Sequence, residues 1–210
     1  MTAPKGRKDK ADASRVRILD AAAALFRERG FAAVSLRAIA AAAGMQAGSV
    51  YYHFESKEQI VVEVLNLGIA AVHRAVAESV AALPTSAAAA EVIGTGIRSH
   101  FRALFQFSAY TSANVRIYGQ VPAAVRAANL PVRRGYEALW DGILDRAAAA
   151  GAVRPAVDRR AFRLMLIGSI NATLEWFDPD RGDVADLAGR YAAILLHGLL
   201  QPGEDAAWAS

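Results

Sequence analysis

The chain lacks the residues on which several kinds of protein chemistry depend. None of its 210 residues is cysteine, which excludes disulfides, thiolate catalysis and cysteine-ligated zinc. The four histidines show no metal-ligand spacing among themselves or with carboxylates; they are His53, His73, His100 and His197. No G-x-S-x-G motif or acid/base pair stands out. We therefore predict a protein that is not an enzyme and that needs no metal or cofactor.

Long apolar segments are also missing. The longest uncharged apolar run of note, Leu164 to Leu174, is too short to cross a bilayer. The first ten residues, MTAPKGRKDK, are basic but lack the apolar core of a secretory signal. These two absences predict a soluble cytoplasmic protein with no membrane partner.

Lysine is scarce, and the excess of basic charge lies near the N-terminus. Residues 1–60 hold ten Lys or Arg against six Asp or Glu, whereas the remainder holds fourteen of each. A basic segment of this kind suits phosphate contacts and electrostatic steering toward nucleic acid. Residues 1–11 are predicted to form a flexible basic arm, and a solvated tail without such a role is the alternative.

Residues 35–59, SLRAIAAAAGMQAGSVYYHFESKEQ, predict three short helices in close succession. Ser35 is a helix cap for the first, and Gly44 ends it because glycine takes a positive φ without steric cost. A turn leads to a seven-residue helix over 47–53, and an S-x-x-Q capping box at 56–59 begins the next helix. Helix, glycine turn and short second helix make a helix-turn-helix, which places its second helix in the major groove of DNA.

This segment resembles the DNA-binding domain of the tetracycline-repressor (TetR) family of one-component regulators, over about residues 12 to 65. The residues that match the family pattern are Phe26, Gly30, Phe31, Ser35, Ile39, Ala40, Ala43, Gly44, Gly48, Tyr51, Tyr52, His53, Phe54, Ser56, Lys57 and Glu58. The chain departs from the pattern at Gln46, where the family usually has Ser or Thr as a helix cap. Because Gln is a poor cap, its amide is predicted to contact DNA instead.

The side chains of this motif divide into a packed set and an outward set. Val50 and Phe54, one helical turn apart, are expected to face inward. Arg37 and Gln46 are predicted to contact base edges, and Lys57 a phosphate. The predicted DNA-binding residues are Arg37, Gln46, Ala47, Gly48, Ser49, Tyr51, Tyr52, His53 and Lys57. The alternative is a helical hairpin whose aromatic residues only pack.

The rest of the chain is predicted to be helical as well, because no alternation of β-branched residues marks a strand. The predicted fold class is all-α, with a three-helix helix-turn-helix domain over 12–56 and a helical-bundle ligand-binding and dimerisation domain over 57–203. Pro122 and Pro131 are each expected to begin a helix. The other predicted helices cover about residues 13–29, 57–82, 86–108, 109–120, 132–150, 158–176 and 183–200.

Residues 97–140 are predicted to line an effector pocket. Their aromatic residues recur at helical spacing, which alone indicates core, but polar groups among them are typical of a ligand cavity. Arg116 is expected to meet a carboxylate such as Glu137 or Glu175, or to await an anionic ligand. The glycines of residues 94–96 lack the third glycine of a nucleotide loop and are expected either to let another helix approach closely or to soften the helix at a pocket. The predicted ligand-binding residues are His100, Phe101, Phe105, Arg116, Tyr118 and Trp140.

Two apolar stripes near the C-terminus predict a dimer interface. One contains Phe162, Leu166, Ile170 and Leu174, and the other contains Leu187, Tyr191, Ile194, Leu195 and Leu199. Two such hairpins from two subunits could close a four-helix bundle, although the core of a single chain would use the same stripes.

The TetR resemblance implies a homodimeric repressor on a palindromic double-stranded DNA operator. In that family a small-molecule effector enters the helical domain and weakens DNA binding by linkage. Residues 171–179, NATLEWFDP, are similar to members that sense fatty or steroid acyl-CoA thioesters. An architectural protein that binds DNA without sequence preference, and a helical enzyme with a DNA-binding head, are the alternatives. The sequence leaves the effector, the operator, the regulated genes and the choice between repression and activation open.

Overall fold

The structure is a computed structural model that describes residues 5–202, and it describes their side chains except those of residues 5–9 and 108. Within this range the chain forms nine α-helices, one short 3-10 helix at Thr173–Glu175 and a single isolated β-bridge. The all-α fold class is therefore confirmed. The helices are α1 (Lys5–Arg29), α2 (Leu36–Ala42), α3 (Ala47–His53), α4 (Lys57–Ala81), α5 (Ala89–Gln106), α6 (Ser108–Ile117), α7 (Ala123–Ala149), α8 (Arg159–Ala172) and α9 (Val184–Leu199).

Local signals set most of these boundaries. Gly30 and Gly44 follow α1 and α2 with φ of 76° and 65°, a conformation that glycine adopts without a Cβ clash. The Ser35 hydroxyl caps α2 by accepting a hydrogen bond from the Ala38 amide at 3.1 Å. The carboxylates of Asp158 and Asp183 cap α8 and α9 in the same way. Each of these signals is legible in the sequence.

Two helices differ from the predicted boundaries. Helix α1 begins at Lys5 and not near Ala13, so residues 5–11 of the predicted flexible arm are helical, and residues 1–4 lie outside the described range. Alanine, lysine and arginine are strong helix formers, and they allow the helix to start this early. Pro131 does not begin a helix but lies inside α7; the loss of one backbone hydrogen bond is tolerated there.

Packing divides the chain into two units. The first holds the chain up to Gly68 together with Ser108–Pro131, and the second holds Ile69–Phe107 and the chain from Val132. The division does not coincide with the boundary predicted at residue 57, because α6 and the first parts of α4 and α7 pack with the helix-turn-helix.

Each unit has a separate apolar core. In the first, α1 contributes Ile18, Leu19, Ala22, Leu25 and Phe26, which pack with residues of α2–α4, α6 and α7. In the second, the core is built around the fully buried Trp140, Phe101 and Leu166. The three- and four-residue spacing of the α1 residues therefore marks the side of that helix that packs.

Helix α4 is long and apolar enough, by length and composition alone, to cross a membrane. The core helix of a soluble protein passes the same test. Here α4 places Ile60, Val61, Val64 and Leu65 in the core of the first unit, so its apolar character is accounted for by packing and does not indicate a membrane protein.

Candidate DNA-binding and effector sites

Helix α3 is fixed to the first unit by its inward side. Val50 and Phe54 are buried, as their spacing predicted. The Arg17 guanidinium donates a hydrogen bond to the Ala43 carbonyl at the end of α2. Arg15 forms an ion pair with Glu63 and lies 4.8 Å from the centroid of the Phe54 ring, a cation–π contact. These arginines hold the two helices of the motif against α1 and α4, a role that the sequence did not reveal.

The opposite side of the motif faces solvent. Tyr51 and Tyr52 are 59% and 75% exposed, and Ser49 and Arg37 are exposed as well. Gln46 occupies the N-cap position of α3 but its side chain makes no capping hydrogen bond, which leaves the amide available to a partner. The outward placement predicted for these residues agrees with the structure, and their contacts with DNA stay a prediction.

Gly48 is an exposed glycine within α3 that no packing requirement explains. A Cβ added there would meet no atom within 4 Å, and its φ is not positive. Glycine inside a helix is destabilising relative to alanine by about 0.5–1 kcal/mol. A bare backbone on the outward face is what the close approach of another macromolecule requires.

Three other predicted DNA-binding residues are partly enclosed. Ala47 packs against the core of the first unit, and the half-buried His53 ring meets the Tyr52 ring edge-on at 5.0 Å between centroids. The Lys57 ammonium donates hydrogen bonds of 3.0 Å to the carbonyls of Phe31 and Val34. Since an ammonium has three donors, one remains for a phosphate.

The six predicted effector residues are divided between the two units. His100, Phe101, Phe105 and Trp140 belong to the second unit, whereas Arg116 and Tyr118 belong to the first. The Phe101 and Trp140 side chains are 0% exposed and His100 is 1% exposed, so no space of water size adjoins them. The fully buried Phe101 and Trp140 therefore line no open cavity in this structure, and the role of the six residues in effector binding stays a prediction.

His100 belongs to a buried hydrogen-bond chain. The Trp140 indole N–H donates to the Tyr136 hydroxyl at 2.8 Å, and that hydroxyl lies 2.8 Å from His100 Nδ1. His100 Nε2 lies 3.3 Å from the Asn171 side-chain oxygen, so the consistent arrangement is a neutral ring protonated on Nε2. Burial lowers the pKa of His100 to about 4, against a smaller opposite effect of the Asn171 hydrogen bond. These hydrogen bonds form a satisfied polar network inside an apolar core.

Gly96 allows the Trp140 ring to pack against α5. A Cβ at Gly96 would lie 2.9 Å from the Trp140 ring, so the indole rests directly on the α5 backbone. The expectation that this glycine allows a close helix approach is confirmed.

The second unit contains a buried arginine, Arg163, which was not among the residues singled out in the sequence. Arg163 on α8 lies 2.7 Å from an Asp141 carboxylate oxygen and 3.2 Å from one of Glu137, both on α7. Its Nη1 is within ion-pair distance of Glu137 but lacks hydrogen-bond geometry, so we regard the Asp141 contact as the stronger one. Arg116 is exposed, so the burial that would have required a partner such as Glu137 or Glu175, or an anionic ligand, does not occur. Glu137 and Asp141 are four residues apart and therefore lie on one side of α7. This spacing, visible in the sequence, indicates a site that a cationic side chain could occupy.

One face of α5 combines positive charge with aromatic surface. Arg98, Arg102 and Phe105 follow each other at i, i+4 and i+7, which places them on one side of the helix. Burial, and then the charge of Arg102, lower the pKa of Arg98. The Phe105 ring meets the Phe177 ring at 5.5 Å, and Phe177 meets the 59% exposed Trp176 at 6.1 Å. The spacing of Arg98 and Arg102 at i and i+4 is visible in the sequence and could have indicated this face.

Helices α8 and α9 expose apolar side chains, but of the residues in the predicted stripes only Ile194 is exposed among the described side chains. Of the predicted residues, Phe162, Leu166, Ile170, Leu195 and Leu199 are buried in the chain's own core. The exposed ones are Leu164, Met165 and Ile194, the last at 72%. Met165 and Ile194 line an open groove of about 780 Å³ between α8 and α9. Among the described side chains, no group of three or more His, Asp or Glu could hold a metal.

Comparison with known proteins identifies the family. The model described as "Bacterial regulatory proteins, tetR family" matches residues 18–64, and "Tetracyclin repressor-like, C-terminal domain" matches residues 86–199. The HTH-type transcriptional repressor KstR2 of Rhodococcus jostii (strain RHA1) is 32% identical over 191 residues, which cover 90% of this chain and 92% of that protein.

Two further similarities concern fatty acid metabolism. The fatty acid metabolism regulator protein of Bacillus subtilis (strain 168) is 26% identical over 193 residues, 88% of this chain and 94% of that protein. The crystal structure of FadR from Bacillus subtilis in complex with stearoyl-CoA has the same fold, with a TM-score of 0.74, 24% identity and coverage of 87% and 98%. The chain therefore belongs to the tetR family of bacterial regulatory proteins, and it is a ligand-responsive, DNA-binding transcriptional regulator.

Proposed function

We propose that this protein is a cytoplasmic homodimeric repressor that binds a palindromic operator and is released from it by an acyl-CoA thioester. The observation that carries the DNA-binding part is the outward face of α3, where Gly48 leaves bare backbone beside exposed tyrosines. Catalysis has no part in this proposal.

The DNA contacts divide by chemistry. Arg37 and Gln46 carry the donors and acceptors suited to base edges in the major groove. Tyr51, Tyr52, Ser49 and His53 present polar tips, and Ala47 and Gly48 bring the backbone close. Lys57 contributes its remaining donor to a phosphate. Hydroxyl and ammonium contacts of this kind fix register on the duplex without reading sequence.

The dimer interface is formed by α8 and α9 of two chains. Leu164, Met165 and Ile194 expose large apolar side chains on neighbouring helices, and a second copy of the same hairpin would cover them in a four-helix bundle. A two-fold axis makes the interface isologous and accounts for a palindromic operator, with half-sites about 34–36 Å apart.

The effector proposal rests on the relatives and on the α5 face. Regulators of fatty acid metabolism and a stearoyl-CoA complex share the fold of this chain. An acyl-CoA combines several phosphate charges with a long apolar chain. Arg98 and Arg102 suit the phosphates, and the cluster of Phe105, Phe177 and Trp176 suits the apolar part.

The buried residues predicted for the effector site can contact a ligand only after a conformational change. His100, Phe101 and Trp140 can meet a ligand only if their packed core opens, and the hydrogen-bond chain at His100 would then exchange a partner for the ligand. Binding of this kind would raise the thermal midpoint in proportion to the logarithm of ligand concentration.

The experiment that tests this function is selection of DNA fragments by the purified protein, followed by sequencing. We expect enrichment of one palindromic motif with two half-sites. Enrichment of fragments without a shared motif would indicate sequence-independent binding and would contradict the repressor assignment.

A further inference from the structure

The loop of residues 31–34, between α1 and α2, is held from two sides. Its first amide, the N–H of Phe31, donates to the Gln120 side-chain oxygen at 3.1 Å. From the other side the Lys57 ammonium binds the carbonyls of Phe31 and Val34 at 3.0 Å each and lies 4.0 Å from the Phe31 ring centroid. The loop leads directly into Ser35, the cap of α2.

The Gln120 amide is itself fixed in orientation. Its nitrogen donates to the Arg116 carbonyl at 3.0 Å, so its oxygen must face the Phe31 amide. The oxygen lies where a Cβ of residue 30 would come within 2.7 Å. The amide can therefore occupy this position only because Gly30, whose φ is also positive, has no side chain.

Helix α6 is attached to α1 at both of its ends. Near its start the Tyr110 hydroxyl donates to the Asp20 carboxylate at 2.5 Å, and just past its end Gln120 binds Phe31. The residue numbers of the two pairs rise together, so α6 runs parallel to the second half of α1. The end of α6 is thereby set against the entrance to the helix-turn-helix.

We propose that Gln120 is a positioning residue for DNA binding. Its amide fixes the loop of residues 31–34 to the end of α6, and through Ser35 it sets the position of α2 and of the helix that follows. The proposal rests on the proposed DNA-binding function, and it assigns a part in operator affinity to a residue outside the helix-turn-helix.

The expected effect follows from one hydrogen bond. Loss of such a bond typically changes a free energy by about 0.5–1.5 kcal/mol, which corresponds to a roughly two- to tenfold loss of operator affinity. Because Gln120 is uncharged, the dependence of affinity on salt concentration should keep its slope. Removal of a cationic side chain that binds a DNA phosphate would instead change that slope.

The test compares Gln120→Ala and Gln120→Glu with the parent protein in fluorescence anisotropy on the selected operator. Glutamate keeps an acceptor for the Phe31 amide, but its second oxygen faces the Arg116 carbonyl and it adds a negative charge, so it should retain more affinity than alanine without reaching the parental value. Hydrogen exchange at the Phe31 amide should be faster in Gln120→Ala than in Gln120→Glu, which keeps an acceptor for that amide. The control is Gln106→Ala, an exposed glutamine of α5, which should bind as the parent does.

Parental affinity of Gln120→Ala despite faster Phe31 exchange would overturn the proposal, and so would an equal loss in both variants. If Gln120→Ala does not fold, Gln120→Met, of similar length and without the amide, takes its place. Failure of the parent protein to select any operator would instead refute the proposed function, so the two failures are distinguishable.

Discussion

Substitution of Gly48 by alanine separates the stability of the protein from its DNA binding. Alanine is the better helix former by about 0.8–1 kcal/mol in a helix interior, and a Cβ at position 48 has open space within the protein. Since position 48 is near the start of α3, we expect a gain of about 0.5–1 kcal/mol. This gain corresponds to a rise of roughly 1–4 °C in the thermal midpoint of a chain of this length.

On DNA the same methyl group should be unfavourable. If the α3 backbone approaches the duplex at Gly48, the added Cβ overpacks the interface at about 1–3 kcal/mol, or a roughly 5- to 150-fold loss of affinity. Thermal unfolding and anisotropy on the selected operator measure the two effects on one sample.

The matched control is Gly142→Ala. Gly142 lies in the middle of α7, is exposed, and likewise has no atom within 4 Å of an added Cβ. This variant should gain stability and bind operator as the parent protein does. Parental operator affinity of a stabilised Gly48→Ala protein would refute the close approach of DNA to α3 at this residue.

Three further predictions follow from other contacts. The pKa of His100 is lowered from 6.5 to about 4 in the folded protein. Between about pH 4 and pH 6.5 the unfolded protein therefore binds more protons at this residue than the folded protein does. Stability should therefore be full above about pH 6.5 and fall by about 3 kcal/mol toward pH 4; an identical pH dependence of urea unfolding in His100→Gln would contradict this. Lys57→Ala should lower operator affinity and reduce the salt slope by about one, and an unchanged slope would restrict Lys57 to holding the loop. Ile194→Asp should give a monomer in sedimentation at micromolar concentration, while Ala185→Asp on the same helix stays dimeric; a dimeric Ile194→Asp protein would place the interface elsewhere.

The helix-turn-helix was predictable because its signals are local. The Ser35 hydroxyl and the glycines at 30 and 44 each act within one turn of their own position. The spacing of Val50 and Phe54 fixes which side of α3 packs, and by exclusion which side faces outward. Nothing remote in the chain has to be known for any of these inferences.

At the capping box of residues 56–59 the local prediction is correct for one hydrogen bond and differs from the structure for the other. The Ser56 hydroxyl accepts from the Gln59 amide at 3.2 Å, as expected. The Gln59 side chain, however, accepts from the Glu55 amide and not from that of Ser56. The helix begins where the motif predicts, although the reciprocal hydrogen bond shifts by one residue.

The remaining features depend on contacts between distant residues. The hydrogen bond between Gln120 and Phe31 joins segments far apart in sequence, and no periodic pattern of residues predicts it. The same holds for α6, whose sequence pattern is compatible with either unit. A polar residue among aromatics can signal a pocket or a satisfied buried network, and at His100 only the positions of Tyr136 and Asn171 distinguish the two.

The central claim is most directly tested by titrating the operator complex with stearoyl-CoA and following fluorescence anisotropy. Stearic acid and free coenzyme A at equal concentration serve as controls, since each carries only one half of the recognised chemistry. We predict that stearoyl-CoA releases the operator and that neither control does so. Arg102→Ala should require more stearoyl-CoA for release, whereas Arg160→Ala, at an exposed arginine of α8, should respond as the parent does. Retention of the operator at saturating stearoyl-CoA would contradict the account.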